Sequence, residues 1–305
     1  MTGRILLIGN VNIDLVMGTA QPWPQPGTEI VLPHSEWRVG GAAGNSALAL
    51  NALGADYGLI ANRGMDDFGT WLAQPFGVRA SAWPLSDRAT ALSVGITHPD
   101  GERTFFSSLG HLLDFSMQDV LAQVPEHAGS GDVALLSGVF VTPLLRPHYL
   151  TLITTLRNRG FGIALDTGWP DRGWNGQTRR EVQDWCNACD HILINEAEAR
   201  GLSGVSHGPV DIVADAVRQH VSPSQSLVIK RGNQGAMLWR AGLVHEYRPN
   251  HVAVVDTIGA GDVFNACYLY ATSAGLDAAK TLAFAVDGAT LAISTLPRQY
   301  KTSLQ

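Results

Sequence analysis

The sequence feature with the clearest chemical potential is the run DTIGAGD at positions 256–262, which a helix-like segment, VFNA, follows directly. Glycines at the start of a helix leave backbone N–H groups free to bind an anion, because the helix dipole adds positive charge there. A carboxylate beside such a site repels a bound phosphate unless it has a task, and the natural task is to accept a hydroxyl proton. We therefore predict that Asp262 is a general base beside an anion hole of Gly259, Ala260 and Gly261. The alternative is a glycine turn in which Asp262 only caps the helix.

Two further segments have residue types that suit a polar ligand. GNVNID at positions 9–14 ends the first predicted strand, at the sheet edge where open α/β proteins bind ligands. Asp14 there could accept two hydroxyl groups or be an ordinary turn aspartate. GGAAGN at positions 40–45 opens a helix, and its bare backbone and amide suit a neutral polyol, although a plain tight turn explains it equally well.

Short apolar runs alternate with helix-like segments along the whole chain, which indicates a doubly wound α/β fold with a mostly parallel sheet. The predicted strands are Ile5–Gly9, Tyr57–Ala61, Val133–Ser137, Gly162–Asp166, His191–Asn195 and Ser226–Lys230. The predicted helices between them include Ser46–Leu53, Pro147–Arg159, Val210–His220 and Val263–Ser273. The pattern predicts a three-layer sandwich in a single domain over 1–305.

Two stretches interrupt this alternation, about 12–38 and 89–108, and the second has an Asp100-Gly101 step between alternating runs. Because an Asp-Gly step between such runs is a strong hairpin signal, we predict a small β-sheet lid over the edge of the site. A second hairpin is predicted from Ala236–Trp239 to Leu243–Tyr247. Exposed strand edges on such a lid often pair with a second copy, so a homodimer through the lid is a further hypothesis.

Composition limits the partners and the compartment. The 305 residues are 45% hydrophobic, and the net charge is −6 with only three lysines, so the chain lacks the basic surface that nucleic acid or an anionic membrane requires. No apolar stretch is long enough to span a bilayer. Three cysteines, Cys186, Cys189 and Cys267, are too few for a disulfide framework, which favours packed thiols and a reducing, cytoplasmic location.

The order of these motifs resembles that of the ribokinase (PfkB) family of carbohydrate and nucleoside kinases over nearly the whole chain. Positions 9–14 match the family's G-x-x-N-x-D strand, and positions 40–45 match its G-G-x-x-x-N turn. Asn195 and Glu198 match an N-x-x-E motif, and positions 256–262 contain the complete D-T-x-G-A-G-D signature. The resemblance implies a ribokinase-like fold and transfer of the γ-phosphoryl group of ATP to a hydroxyl.

The same resemblance assigns roles to individual residues. It makes Asp262 the base and Gly259–Gly261 the anion hole. The residues implied to contact the sugar are Asn12, Asp14, Gly40, Gly41 and Asn45.

The resemblance also implies a nucleotide site and two cation sites. Asn195 and Glu198 would place phosphate and Mg²⁺, with Glu198 acting mostly through water. Asp256 and Thr257 would neighbour a monovalent-cation site, with K⁺ as the candidate ion. The residues implied to shape the ATP site are Lys230, Gly232, Gly235 and Asp287, the last standing where an asparagine is common.

The substrate remains open at this point. Sugar kinases of this kind that act on ketohexoses or keto-acids often have D-x-N-x-R, whereas positions 166–170 read DTGWP, so a neutral sugar ranks first even if Arg172 could substitute. A nucleoside ranks second, since tryptophans could stack on its base; they are Trp23, Trp37, Trp169 and Trp174. A sugar-binding regulator without catalysis and a nucleotide-cofactor oxidoreductase are rivals from other classes.

Overall fold

Three sheets, of eight, four and two strands, organise residues 3–99 and 103–304, which this computed structural model describes. The strands are β1 (Ile5–Ile8), β2 (Asn12–Met17), β3 (Ser35–Gly40), β4 (Tyr57–Ile60), β5 (Arg63–Gly64), β6 (Leu85–Ser86), β7 (Leu92–Thr97), β8 (Arg103–Ser108), β9 (Val133–Leu136), β10 (Gly162–Leu165), β11 (His191–Asn195), β12 (Ser226–Lys230), β13 (Ala236–Arg240) and β14 (Leu243–Tyr247). The helices are α1 (Ala42–Ala52), α2 (Asp67–Ala73), α3 (Met117–Gln123), α4 (Tyr149–Asn158), α5 (Gly176–Asn187), α6 (Glu196–Ser203), α7 (Val210–Arg218), α8 (Ala260–Ser273) and α9 (Ala278–Ser294).

The large sheet has the strand order β14-β13-β12-β11-β10-β9-β1-β4. Its strands from β4 to β12 pair in parallel, and only the last hairpin, β13 with β14, is antiparallel to its neighbours. The predicted α/β class with a mostly parallel sheet is therefore confirmed. Parallel strands end at one edge of a sheet, which brings the loops after β1, β10, β11 and β12 together.

Alternate side chains of the parallel strands bury into two separate cores. In β1, Ile5 and Leu7 pack in the core that contains α1, α8 and α9. Leu6 and Ile8 pack in the opposite core, with residues of α4, α5, α6 and α7. Burying one such side chain stabilises the fold by roughly 1.5–3 kcal/mol, so burial on both faces explains why these strands are short continuous apolar runs.

The four-stranded sheet, in the order β3-β2-β7-β8, is formed by strands from the two stretches that interrupt the α/β alternation. We call it the lid sheet. Strand β2 pairs in parallel with β7 and antiparallel with β3, and β7 pairs antiparallel with β8. The predicted Asp100-Gly101 turn lies outside the described residues. Because opposite residues of paired strands share a face, one face holds Asp14, Arg38, Ser93 and Ser107, and the other holds Leu15, Trp37, Val94 and Phe106.

Two helices begin earlier than the sequence predicted. Helix α1 starts at Ala42 and α8 at Ala260, so the last residues of each glycine motif lie in the first turn of the helix. Gly41 (φ 84°) and Gly259 (φ 74°) precede these helices with left-handed backbone torsions, which residues other than glycine rarely adopt. None of the helices in the described residues is long and apolar enough to cross a membrane.

Candidate active site

A cleft of about 360 Å³ opens where the loops after the parallel strands meet the start of α8. It brings together many of the residues that the sequence singled out, from segments far apart in the chain. Those lining the cleft are Asn195, Glu198, Lys230, Thr257, Gly259, Ala260, Gly261 and Asp262. Residues lining it without a predicted role include Asn10, Asp166 and Thr167, and Trp169, a candidate for base stacking, lines it as well.

Asp262 lies in the first turn of α8, with its carboxylate in the cleft. Asn45 Nδ2 donates a hydrogen bond of 2.9 Å to its Oδ2, and Ser46 Oγ donates to its main-chain oxygen at 3.0 Å. Burial and then the negative charge of Asp166 raise the pKa of Asp262 to about 8, against the lowering effects of Asn45 and Lys230. A carboxylate with such a pKa is a far stronger proton acceptor than an ordinary aspartate.

Of the three backbone amides predicted to form an anion hole, that of Ala260 already donates to the Thr257 carbonyl oxygen at 3.2 Å. Within the described part of the chain, the N–H groups of Gly259 and Gly261 donate to no protein acceptor. Both residues line the cleft, at the positive end of α8. A Cβ on Gly259 would lie 2.8 Å from Asn45 Cγ, so glycine is required for the amide of Asn45 to reach Asp262.

Lys230 places a cation next to this anion hole. It ends β12, and its Nζ contacts Asp166 Oδ2 at 2.9 Å and Asn265 Oδ1 at 3.1 Å. A Cβ built on Gly261 would lie 3.4 Å from the same Nζ, which fixes how close the ammonium group is to the helix start. Burial lowers the pKa of Lys230, but the charges of Asp166 and Glu198 outweigh it, so the net pKa is raised and the group stays protonated. The cleft thus contains a permanent positive charge.

Asn195 and Glu198 form the N-terminal cap of α6 at the other side of the cleft. Asn195 Oδ1 accepts from the Glu198 N–H, and Glu198 Oε2 accepts from the Asn195 N–H, both at 2.8 Å. Burial and then the charge of Asp166 raise the pKa of Glu198 to about 7. Asp166 is already paired with Lys230, so Glu198 is the desolvated carboxylate that suits a divalent cation, and Mg²⁺ usually completes its coordination with water and substrate phosphates. The residues therefore fit Mg²⁺, although no set of three or more His, Cys, Asp or Glu in residues 3–99 and 103–304 forms an all-protein metal site.

Asp14 and Asn12 lie on β2 of the lid sheet, and neither is among the residues that line the cleft. Asn12 Nδ2 donates to Asp14 Oδ1 at 2.9 Å, and Asn10 Nδ2 donates to Asn12 Oδ1 at 3.0 Å. Burial raises the pKa of Asp14 to about 6, although the charge of Arg38 opposes this. The charge of Asp14 is also among the smaller causes of the raised pKa of Asp262.

Gly40, Gly41 and Asn45 have packing roles that the sequence did not predict. A Cβ on Gly40 would lie 2.3 Å from the Asp14 carboxyl group, and one on Gly41 would lie 2.5 Å from the Asn10 carbonyl oxygen. Asn45 is buried and binds Asp262. These residues therefore position Asp14 and the base, and they are not among the residues that line the cleft.

Asp256, in the loop before the anion hole, is surrounded by three arginines. Arg103 Nη2 lies 3.0 Å from its Oδ1 and Arg298 Nη2 lies 2.9 Å from its Oδ2, and Arg38 Nη1 binds Oδ2 as well. Thr257 Oγ1 accepts from Arg103 Nη1 at 3.3 Å. Burial raises the pKa of Asp256, but the hydrogen bond from Arg38 and the arginine charges outweigh it, so the net pKa is lowered.

The remaining predicted nucleotide residues lie outside the cleft lining. Gly232 (φ 55°) has open space where a Cβ would be, whereas a Cβ on Gly235 would lie 1.9 Å from the Tyr247 carbonyl oxygen. Asp287 accepts a hydrogen bond from the Tyr247 hydroxyl at 3.1 Å. Gly235 therefore allows the β12–β13 turn to lie against β14. Asp287 links α9 to β14 through its hydrogen bond.

Sequence reasoning missed Asp166, Asn265 and the three arginines as parts of the site. Asp166 follows a parallel strand, which is the same signal that pointed to Asp14 after the first strand. Asn265 Nδ2 donates to Asp166 Oδ2 at 2.5 Å from one turn inside α8, a spacing that the helix period could have suggested.

The family-level comparison agrees with this geometry. The pattern of the pfkB family of carbohydrate kinases matches residues 2–301. This chain therefore belongs to the pfkB family of carbohydrate kinases, and it is an ATP-dependent enzyme of that class.

Individual relatives are distant but cover most of the chain. A fructokinase of Escherichia coli is 24% identical over 87% of this chain and 82% of its own length. A ribokinase of Bacillus subtilis (strain 168) is 26% identical over 97% of this chain and 94% of its own length. The structure of Arabidopsis thaliana ribokinase complexed with ribose and ATP superposes with a TM-score of 0.75 at 19% identity, covering 100% of this chain and 95% of that one. The predicted ribokinase-like fold is confirmed.

Proposed function

We propose that this enzyme transfers the γ-phosphoryl group of ATP to a hydroxyl of a small neutral sugar, with Asp262 as the base. The observation that carries the proposal is the arrangement at the start of α8. A carboxylate whose pKa is raised to about 8 lies beside the unpaired amides of Gly259 and Gly261 and the ammonium group of Lys230. Proton acceptor and anion stabiliser are thus adjacent, as phosphoryl transfer to an alcohol requires.

In the proposed reaction the sugar hydroxyl gives its proton to Asp262 while its oxygen forms a bond to the γ-phosphorus. The bond from that phosphorus to the β–γ bridging oxygen breaks, and ADP leaves with the electron pair. The amides of Gly259 and Gly261 and Lys230 Nζ stabilise the charge on the phosphoryl oxygens. Asn195 and Glu198 would hold Mg²⁺, which when bound neutralises charge on the ATP phosphates.

A neutral sugar suits the lid side of the site. Asp14 provides a carboxylate acceptor for hydroxyl groups at the buried face of the lid sheet, and Asn12 Nδ2 donates to its Oδ1 at 2.9 Å. Arg172, which could have bound a carboxylate, is 85% exposed on its side chain and contacts only Asp171, at 3.8 Å. The lid arginines Arg38 and Arg103 are already paired with Asp256, which makes their guanidinium groups less available to an anionic substrate.

A nucleoside is the second candidate, because one aromatic residue is available for stacking. Trp169 lines the cleft and is 59% exposed, although Trp174 packs against its edge. Trp23 and Trp37 instead stack on His98 and Phe68. An exposed tryptophan in a cleft could stack on a purine or pyrimidine base.

An ATP-consumption assay over a panel of neutral sugars, sugar acids and nucleosides, with and without Mg²⁺, tests the proposal. We expect Mg²⁺-dependent ADP formation that requires a neutral sugar, with phosphorylated sugar as the product by mass spectrometry. The matched control is Asp262→Asn at the same concentration. Faster turnover of a nucleoside would favour the second candidate, and ADP formation that no acceptor stimulates would contradict both.

The reducing, cytoplasmic location indicated by the cysteines remains a prediction.

We also propose that the enzyme forms a homodimer through the face of the lid sheet that holds Trp37 and Phe106. Trp37, Leu15, Val94 and Phe106 form an apolar row across all four strands, with Trp37 46% and Phe106 56% exposed. A partly exposed apolar row across a sheet can mark a contact surface, although Trp37 also stacks on Phe68 within the chain. Light scattering should give twice the chain mass for the wild type and the monomer mass for Phe106→Ser. A wild-type monomer at high concentration would contradict this.

A further inference from the structure

The surroundings of Asp256 do not fit the monovalent-cation site that the resemblance implies. The carboxylate has about four lone-pair positions, and four nitrogen atoms lie against its two oxygens. Oδ1 accepts from the Ile258 N–H at 3.0 Å and lies 3.0 Å from Arg103 Nη2 in an ion pair. Oδ2 accepts from Arg38 Nη1 and, at 2.9 Å, from Arg298 Nη2. Each oxygen thus already has two nitrogen neighbours, and three of these four nitrogens belong to cationic arginines.

Thr257, the second residue implied to neighbour the cation, also contacts an arginine. Thr257 Oγ1 accepts a hydrogen bond from Arg103 Nη1 at 3.3 Å. Thr257 and Asp256 are therefore held by one guanidinium group, through its two terminal nitrogens. A cation that approached either oxygen would therefore meet the positive charge of Arg103.

The local charge also opposes a cation. Three guanidinium groups surround one carboxylate, with side chains of Arg38, Arg103 and Arg298 only 17%, 11% and 14% exposed. Asp14 is the further acidic group whose charge interacts with Arg38 and Arg298. In addition, Arg38 Nη2 and Arg103 Nε are buried without a partner in the described part of the chain. The cluster thus has more donors than acceptors, which is the opposite of what a cation needs.

The arginines come from separate parts of the molecule and meet at the loop that leads into the anion hole. Arg38 is on β3 and Arg103 on β8 of the lid sheet, and Arg298 follows α9. The same loop is tied to α9 by the Val255 N–H, which donates to the Ile293 carbonyl oxygen at 2.7 Å. Three residues after Asp256 comes Gly259, the first residue of the anion hole.

We propose that Arg38, Arg103 and Arg298 take the place of a monovalent cation in this enzyme. They neutralise Asp256, fix the loop that presents Gly259 and Gly261, and link it to the lid sheet. They are positioning residues, since they act through the loop. The enzyme is consequently indifferent to K⁺. This inference rests on the proposed function only for its kinetic consequence, and its structural part can be tested separately.

The structural test is thermal unfolding of the wild type with KCl replaced stepwise by tetramethylammonium chloride at constant ionic strength. A ligand that binds only the folded state raises the melting temperature in a saturable way. We expect no difference between the two salts. A saturable rise that is specific to K⁺ would overturn the inference, whether or not a substrate has been found.

The kinetic test uses the sugar that gives turnover in the panel assay. We expect the wild-type rate to be equal in K⁺, Na⁺ and tetramethylammonium salts. Arg298→Met removes one guanidinium group and frees one lone pair of Asp256, so kcat should fall with little change in KM, and K⁺ should now restore part of it. The matched control is Arg218→Met, whose arginine pairs with Asp215 on the surface at 3.2 Å. A wild-type rate that rises several-fold with K⁺ would overturn the inference, as would an Arg298→Met enzyme with unchanged kcat.

Discussion

Asp256 and Asp262 lie six residues apart in one glycine-rich segment, yet their surroundings are opposite. Asp256 has arginines as neighbours, and its pKa is lowered. Asp262 receives one amide hydrogen bond, faces Asp166, and has its pKa raised to about 8. The same type of side chain thus has a lowered pKa where arginines compensate its charge and a raised pKa where burial and a second carboxylate dominate.

Removing the base should have the largest effect. Asp262→Asn keeps the shape of the side chain but cannot accept the hydroxyl proton, so kcat should fall by about 10²–10⁴-fold with KM for both substrates nearly unchanged. Steady-state rates from a coupled ADP assay measure this. Asp215→Asn, at an exposed helix position, is the control and should leave kcat unchanged. Near-normal turnover by Asp262→Asn would refute the role of the base.

Replacing Asp256 should mainly lower the free energy of unfolding. Asp256→Asn leaves three largely buried guanidinium groups without their carboxylate, and breaking a buried ion pair in this way costs about 3–5 kcal/mol. Urea unfolding followed by circular dichroism measures the free energy of unfolding. For Asp215→Asn, whose ion pair with Arg218 is exposed, the loss should stay under about 1 kcal/mol. Equal stability of the two variants would show that the arginine cluster does not depend on Asp256.

Lys230 provides the positive charge near Asp262. Lys230→Met removes the charge and keeps the length of the side chain, so kcat/KM for ATP should fall by about 10²–10³-fold, as for loss of one group that stabilises transition-state charge. Lys280→Met is the matched control, since that side chain is 74% exposed and pairs only with Asp277. A fall no larger than that of the control would remove Lys230 from the site.

Much of the fold was predictable from the sequence, because the strands bury both faces and their apolar runs are bounded by turns. The predicted strands differ from β1, β4, β9, β10, β11 and β12 by at most one residue at their ends. The starts of α1 and α8 were predicted late, since glycine and alanine runs resemble loops until the helix that follows them is seen to include them.

The site was less predictable, because partners across the chain decide its charges. Nothing in the sequence near Lys230 indicates that Asp166 and Asn265 hold its ammonium group in the cleft. Likewise, the order of residues in the 256–262 segment cannot reveal that arginines from β3, β8 and the segment after α9 converge on Asp256.

The pH dependence of activity should distinguish the contributions of Asp262 and Asp14. Asp262 must be ionised to accept a proton, so log(kcat/KM) should rise with pH and level off above its pKa of about 8. Asp14, with a pKa of about 6, should add a second bend at lower pH if its ionised form binds the substrate hydroxyls. A profile already flat from pH 6 would contradict the desolvated base.

The raised pKa of Asp262 also affects stability. As the pH rises, the free energy of unfolding should fall, whereas activity should rise. Between the ordinary aspartate pKa of 3.8 and about 8, the folded protein keeps the Asp262 proton while the unfolded chain releases it. Since the unfolded state binds fewer protons in this window, the free energy of unfolding must fall as the pH rises through it. Asp262→Asn cannot lose a proton, so its free energy of unfolding should exceed that of the wild type increasingly toward pH 8. Urea unfolding of both proteins across this range measures the difference, and a constant difference would mean that Asp262 ionises normally.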